Sequence, residues 1–235
     1  MLCPYNKIMQ FIISLLLITL LSQSPDTIVL NFERKVVQSN STETILGVAY
    51  YKSPNRLFIE VKDPIKQIMV IERNILTIFY PEDNKAFRIK SKRPFTMPFI
   101  NSIISIMKED YGLAELGYSL TKHEKIGDRI YTYWDPPKNK KKIMGQFILA
   151  SEGSYLVYAE LKDHEGKTIA KSFYQNYIKI DGKQFPMEVR SEIIEGTKTI
   201  EEHITYSEVK FNVAIPKEIT NFRVPDSVKI ENVEM

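Results

Sequence analysis

From Thr44 to Lys90 apolar and polar residues change places at every second position, in short β-branched or aromatic runs separated by turn formers. Leu57, Ile59 and Val61 share one side of a run, and Arg56, Glu60 and Lys62 mark the other, which is the period of a β-strand. The breaks fall at Lys52-Ser53-Pro54-Asn55, Asp63-Pro64, Arg73-Asn74 and Pro81-Glu82-Asp83-Asn84. Proline there fixes φ and withholds an N–H, and Asn or Asp tolerates left-handed backbone. The pattern predicts an antiparallel meander between Gly47 and Lys90. Two of its runs are apolar on both sides: Met69 and Ile71 oppose Ile68 and Val70, and Ile75 and Phe79 oppose Leu76, Ile78 and Tyr80. A sheet with one wet face alternates cleanly, so both faces are expected to be covered.

Beyond Gly117 the strand pattern resumes. It predicts strands at Tyr118–Lys122, Arg129–Trp134, Lys142–Ala150, Tyr155–Lys162, Thr168–Ile180, Gln184–Glu195 and Thr199–Asn212, with a last short one near Phe222–Val224. Short turns such as Gly127-Asp128, Glu152-Gly153, Asp181-Gly182 and Glu195-Gly196 make sequence neighbours pair. Two stretches read as helical. Ser24-Pro25-Asp26 has the form of a helix start, and Ile28 or Val29, Phe32 and Val36 recur at helical spacing up to Gln38. Between Arg93 and Leu116, Met97, Ile100, Ile104 and Met107 repeat at helical spacing, and Phe99, Ile103 and Ile106 widen the face. A helix that apolar is buried on more than one side. The sum is a mainly β (α+β) single domain: one curved antiparallel sheet of about ten strands with two helical segments, a size at which sheets curl or close.

Composition narrows the function classes. The 32 basic and 29 acidic residues nearly balance, which gives no concentrated basic footprint for nucleic acid. The nine glycines leave little material for phosphate-cradling loops. The single cysteine, Cys3, precedes the apolar run Phe11–Leu21. With Lys7 before that run and Ser22-Gln23-Ser24 after it, residues 1–24 have the form of a secretory signal cleaved near 22–24. Residues 25–235 then form the mature domain, without a thiol for a disulfide, a zinc site or nucleophilic chemistry.

Candidate chemistry is sparse. His123, His164 and His203 stand at no metal-ligand spacing, so neither a metal nor a cofactor is expected. Ser151 and Ser154 lack the flanking glycines of a nucleophile elbow and suit a hairpin turn. Glu192, Glu195, Glu201 and Glu202 are expected in cross-strand ion pairs on a solvated face. Lys138, Lys140, Lys141 and Lys142 read first as a solvated hairpin tip, and otherwise as a contact for anionic lipid headgroups or an acidic partner. An enzyme would need His123, His203 and a carboxylate to meet in one cavity. The remaining signal is aromatic: 13 Tyr and 12 Phe, including Tyr131, Tyr133, Tyr155, Tyr158, Phe173, Tyr174 and Tyr177, which serve either a core or a lined cavity.

The order of these features resembles the LolA-like outer membrane lipoprotein carriers. The quoted pieces are Gly47 and Tyr51–Leu57, Gln67–Val70, Leu76-Thr77-Ile78-Phe79-Tyr80-Pro81, the apolar 97–107 stretch at the family's lid position, Ile180–Pro186, Val209–Pro216 and Phe222–Pro225. The resemblance implies an unclosed β-barrel covered by helices. It implies a periplasmic, monomeric, non-enzymatic carrier that receives acylated lipoproteins from an inner-membrane exporter and ferries them towards the outer membrane. Leu57, Ile59, Met69, Ile71, Ile78, Tyr80, Ile100, Ile104 and Met107 would line the acyl-chain cavity. Members of the family carry an Arg before the strand-breaking Pro, linked to cargo transfer; here Ser53 stands there, and Arg56 is the nearest Arg. An envelope sensor or regulatory module on the same fold, binding lipid or a membrane partner, is the alternative.

Overall fold

The structure, a computed structural model, describes residues 26–38, 41–53, 56–72, 74–91, 110–114 and 116–234. Among these residues fourteen strands form one curved sheet. They are β1 (Thr27–Gln38), β2 (Ser41–Lys52), β3 (Arg56–Asp63), β4 (Gln67–Glu72), β5 (Ile75–Tyr80), β6 (Lys85–Lys90) and β7 (Ser119–Ile126), then β8 (Arg129–Asp135), β9 (Phe147–Glu152), β10 (Tyr155–Lys162), β11 (Thr168–Ile180), β12 (Lys183–Glu195), β13 (Lys198–Phe211) and β14 (Ile230–Glu234). Their order across the sheet is β14-β6-β5-β4-β3-β2-β1-β13-β12-β11-β10-β9-β8-β7. Two meanders, β2 to β6 and β7 to β13, are thus joined where β1 pairs antiparallel with β13. The two ends of this order do not pair, so the barrel is unclosed.

β1 corrects an expectation. Thr27–Gln38 is a strand, not the helix its spacing suggested. Ile28, Phe32 and Val36 lie four apart, a spacing that satisfies both a helix and a strand. Leu30 separates the two cases. It would point away from Ile28 and Phe32 on a helix, yet all three are buried together here. Burial alternates through Phe32, and the strand is held on both sides by ladders to β2 and β13. Two hydrogen bonds tie its start to the end of β13: the Asp26 N–H donates to Asn212 Oδ1 (3.1 Å), and Thr27 Oγ1 donates to the Val213 carbonyl (2.7 Å).

Other expectations shift as well. The 142–146 stretch is a turn followed by irregular chain, and β9 starts at Phe147. Residues 222–224 are not extended in a ladder; the last strand is Ile230–Glu234, which pairs parallel with β6. Of the second predicted helix, residues 92–109 and 115 lie outside the described residues, and 110–114 and 116–117 are turns. Among the described residues the helical pieces are one 3-10 turn at Lys138–Lys140 and one α-helical turn at Lys217–Thr220.

Register assigns the faces. Leu57 faces Ile71 and Tyr51, Ile59 faces Met69 and Ala49, and Met69 faces Ile78. These residues lie on the inner face, whose core runs from Leu76 through Ile59, Leu30, Ile204 and Val189 to Leu149. Burying each such side chain is worth about 1.5–3 kcal/mol. Phe58, Val70 and Phe79 take the opposite, outer face. There the segment after β13 crosses the sheet. Phe222 packs edge-on against Phe58 (centroids 5.4 Å apart) and near Phe79 (6.3 Å), and Val228 is buried against Phe79 and Ala86. The two-sided apolar strands β4 and β5 are therefore covered on both faces, as their pattern required. Their outer apolar side chains serve this C-terminal strap.

Candidate functional site

The inner face of the β9–β12 half carries an apolar cavity of about 420 Å³. Four strands and one connecting segment build it. Phe147 and Leu149 come from β9, Leu156, Ala159 and Leu161 from β10, Ala170 and Tyr174 from β11, and Ile193 from β12. Tyr111, Leu113 and Leu116 close one side. Register explains the grouping: Leu149 faces Ala159, Phe147 faces Leu161, Leu161 faces Ala170 and Ala170 faces Ile193. Small residues on β10 and β11 between larger ones on β9 and β12 leave the space. The 110–118 segment is fixed by its own bonds. Asp110 accepts from the Gly112 N–H and the Ala114 N–H (both 3.0 Å), and the Tyr118 N–H donates to the Leu113 carbonyl (3.0 Å). Tyr118 packs edge-on against Phe147, with centroids 5.0 Å apart.

The wall is apolar apart from the Glu160 and Glu195 carboxylates and a few hydroxyls. Burial pushes the Tyr174 and Tyr177 phenols far above their ordinary range and raises that of Tyr111, so all three stay neutral. The Tyr177 hydroxyl donates to the Leu156 carbonyl. Ser172 bonds Ser191 across the strands at 2.8 Å. Glu160 accepts from the Tyr158 and Thr168 hydroxyls (2.9 and 2.5 Å). Such a cavity can take apolar chains. A smaller cavity of about 250 Å³ adjoins it, sharing Leu116, Phe147, Leu161 and Ile169 and reaching Lys140, Lys162 and His164.

The residues expected to line a site fall as follows. Leu57, Ile59 and Ile71 are buried in the inner core, with Met69 and Ile78 packed against it. Tyr80 shares the inner side of β5 with Leu76 and Ile78 by alternation. Ile100, Ile104 and Met107 lie outside the described residues. Ser53 is exposed, and its N–H donates to the Asp26 carbonyl (2.8 Å), closing β2 onto β1. Arg56 lies on the outer face, in an ion pair with Glu72 and with Nη2 donating to the Phe222 carbonyl (3.3 Å). It therefore anchors the C-terminal strap.

Of the aromatics that the sequence offers for a core or a cavity, Tyr174 lines the larger cavity, and the rest of its lining is ordinary strand sequence. The other available signal was the alternation of small with large residues at Ala159, Ala170 and Ser172. Two polar pairs also resolve, His203 with Glu188 and Arg34 with Glu202. His203 Nε2 meets Glu188 Oε1 at 2.8 Å on the outer face of β13, while exposed His123 sits on β7 at the sheet's far edge. The histidines do not meet. Among the described residues no group of three or more His, Cys, Asp or Glu could hold a metal ion. Ser154 sits in the β9–β10 hairpin turn, as the sequence suggests, while Ser151 lies within β9 opposite Leu156. Glu202 departs from its expected solvated face: it points inward, 4% exposed, and pairs with Arg34. The clue was Arg34 itself, which continues the Ile28, Leu30, Phe32 face once β1 is read as a strand.

Comparison with known proteins gives likeness of structure alone. No family model and no curated protein matches the sequence. Among solved structures, a DUF1329 family protein from Desulfovibrio piger superposes with a TM-score of 0.64 at 15% identity, covering 86% of this chain and 92% of that one. A LolA superfamily protein from Nitrosomonas europaea gives 0.60 at 15% identity, covering 83% and 90%. A putative outer membrane lipoprotein-sorting protein domain from Vibrio parahaemolyticus gives 0.59 at 10% identity, covering 83% and 89%. This chain has the LolA-like fold.

Proposed function

We propose that this protein is a periplasmic carrier that binds the acyl chains of lipoproteins reversibly, without chemistry, and ferries them towards the outer membrane. The supporting observation is the apolar cavity of about 420 Å³ on the inner face, within the size range of sites that enclose a small ligand. Beyond it the inner face continues through Leu57, Ile59, Met69, Ile71 and Ile78, packed as core in this structure. An inner-membrane exporter would supply the cargo. The Glu160 carboxylate is occupied by two hydroxyls and the nearby phenols are neutral, which suits holding over transforming.

Each methylene moved from water into such a cavity gains about 0.8 kcal/mol, or roughly fourfold in affinity. Displacement of a hydrophobic fluorophore by a series of acylated peptides should therefore tighten about fourfold per added methylene until the cavity is full. Ala170→Phe, which fills the space between Leu161 and Ile193, should weaken binding of the longer chains at least tenfold, roughly the loss of two buried methylenes, with the fold retained. Binding that is independent of chain length, or unchanged by Ala170→Phe, would sink the carrier reading.

A further inference from the structure

The smaller cavity is built differently from the larger one. Four of its lining residues, Leu116, Phe147, Leu161 and Ile169, belong to both, so the two spaces adjoin along that wall. The rest of its lining includes Lys140, Lys162, His164, Asp163 and Ile143. Ile143 is 58% exposed.

The backbone explains why two lysines converge here. The Lys140 carbonyl accepts from the Ile143 and Met144 N–H groups, both at 2.9 Å, which curls the chain into a tight turn. Gly145 then lies against the backbone of Lys162 and Asp163 so closely that a Cβ would overlap their carbonyl oxygens. The Lys162 N–H donates to the Gln146 carbonyl (2.9 Å). The turn bearing Lys140 is thereby pressed onto the end of β10 bearing Lys162.

The charges at this mouth are unequal. The Asp163 carboxylate is turned to the backbone, accepting from the Glu165 and Lys167 N–H groups (2.9 and 2.8 Å). Lys141, in the same turn as Lys140, is taken by Asp135 at 3.4 Å. Among the described residues no carboxylate reaches Lys140 or Lys162, and both are half-buried. A half-buried ammonium without a counter-charge favours an anion more than a fully solvated one does. Lys138 and Lys142 are exposed and belong to the solvated tip.

We propose that the adjoining cavities select an acyl chain that ends in an anionic head, a carboxylate or a phosphate. The head sits at Lys140 and Lys162, and the chain passes Phe147 and Leu161 into the larger cavity. This rests on the acyl-chain binding proposed above and goes beyond it, naming a cargo with a charged head where a lipoprotein's acyl links are neutral.

The test compares three probes of one chain length on the full mature protein: palmitate, palmitoyl lysophosphatidate and hexadecanol. Each displaces the fluorophore at low salt, and inorganic phosphate alone serves as a headgroup without a chain. The expected result is that both anionic probes bind about tenfold more tightly than hexadecanol, a typical gain for hydrogen bonds to a charged group. Adding salt should shrink that gap. The Lys140→Gln/Lys162→Gln double variant should lose the preference, bringing both anionic probes to the affinity of hexadecanol. Lys138→Gln/Lys142→Gln should keep it. Inorganic phosphate alone should displace nothing. Equal affinity for all three probes, a preference that survives the double variant, or displacement by inorganic phosphate would overturn the headgroup assignment and leave acyl binding standing. Failure of every probe, hexadecanol included, would overturn both.

Discussion

The ring of Phe32 lies over Gly47. The two are direct partners between β1 and β2, and a methyl group on Gly47 would stand 2.6 Å from Phe32 Cζ and closer still to the Glu60 carbonyl oxygen. Phe32 is buried, and Glu60 faces Val48 in the adjoining ladder. The ring fills the space that the missing side chain leaves, and it belongs to the inner core. The backbone oxygen cannot move without breaking the β2–β3 pairing. Gly47→Ala should therefore cost about 2 kcal/mol, the usual scale for overpacking. At roughly 2–4 °C per kcal/mol for a chain of this size, the melting temperature should fall by about 4–8 °C. Calorimetry reads it directly. A neutral outcome would mean that Phe32 can leave the glycine without cost.

Arg34 and Glu202 form an ion pair on the inner face. The Glu202 side chain is 2% exposed, Arg34 donates to its Oε1 through Nε at 2.9 Å and through Nη2, and Oε2 has no partner. Removing the guanidinium leaves a buried, uncompensated carboxylate. Arg34→Met should destabilise by about 3 kcal/mol, and Arg34→Met/Glu202→Leu should recover most of it. Urea titration of the two variants decides this. Equal loss in both would show that packing, not charge, dominates.

The C-terminal strap should open before the sheet does. Phe222 is half-buried against Phe58 and Phe79, and Arg56 holds its carbonyl. Phe222→Ala should cost about 2 kcal/mol, less than for a fully buried phenylalanine. Hydrogen exchange should rise first at β14 and β6, because β14 reaches the sheet only through β6. Unchanged protection of β14 would detach the strap from this contact.

On the outer face, hydrogen bonds from Arg190 and then His203 hold the Glu188 carboxyl below its ordinary 4.5. A carboxyl depressed on folding adds stability above its unfolded value, and loses it as pH falls through the folded one. Glu188 should thus help at neutral pH and cease to help in acid below the usual carboxylate range. The effect is on the scale of a surface pair, about 0.2–1 kcal/mol. Denaturation of Glu188→Gln across pH 2–7, a window chosen around the usual carboxylate pKa, should show a flatter acid limb than the parent. An identical limb would assign no linkage to Glu188.

Most strands were legible because each has its own period of two and its own turn formers. β3, β4, β10 and β11 fall where alternation places them. The larger cavity was less legible. Leu149, Leu161 and Ala170 are ordinary strand residues, and what makes them a wall is the register that sets them side by side. Lys140 illustrates the same limit. In the sequence it is one lysine of four, and only the turn packed onto Lys162 separates it from the solvated tip.

The sequence by itself determined the sheet-rich character, the turns, and the need to cover β4 and β5 on both faces, since these follow from local period and composition. Tertiary structure decided what covers them. Phe222 and Val228 reach the outer face from far along the chain, and nothing local records that contact. It also decided the state of Thr27–Gln38. The i, i+4, i+8 spacing of Ile28, Phe32 and Val36 fits helix and strand alike, and ladders to both β2 and β13 resolve it, because a strand held on both sides satisfies its backbone while burying Leu30 beside Ile28 and Phe32.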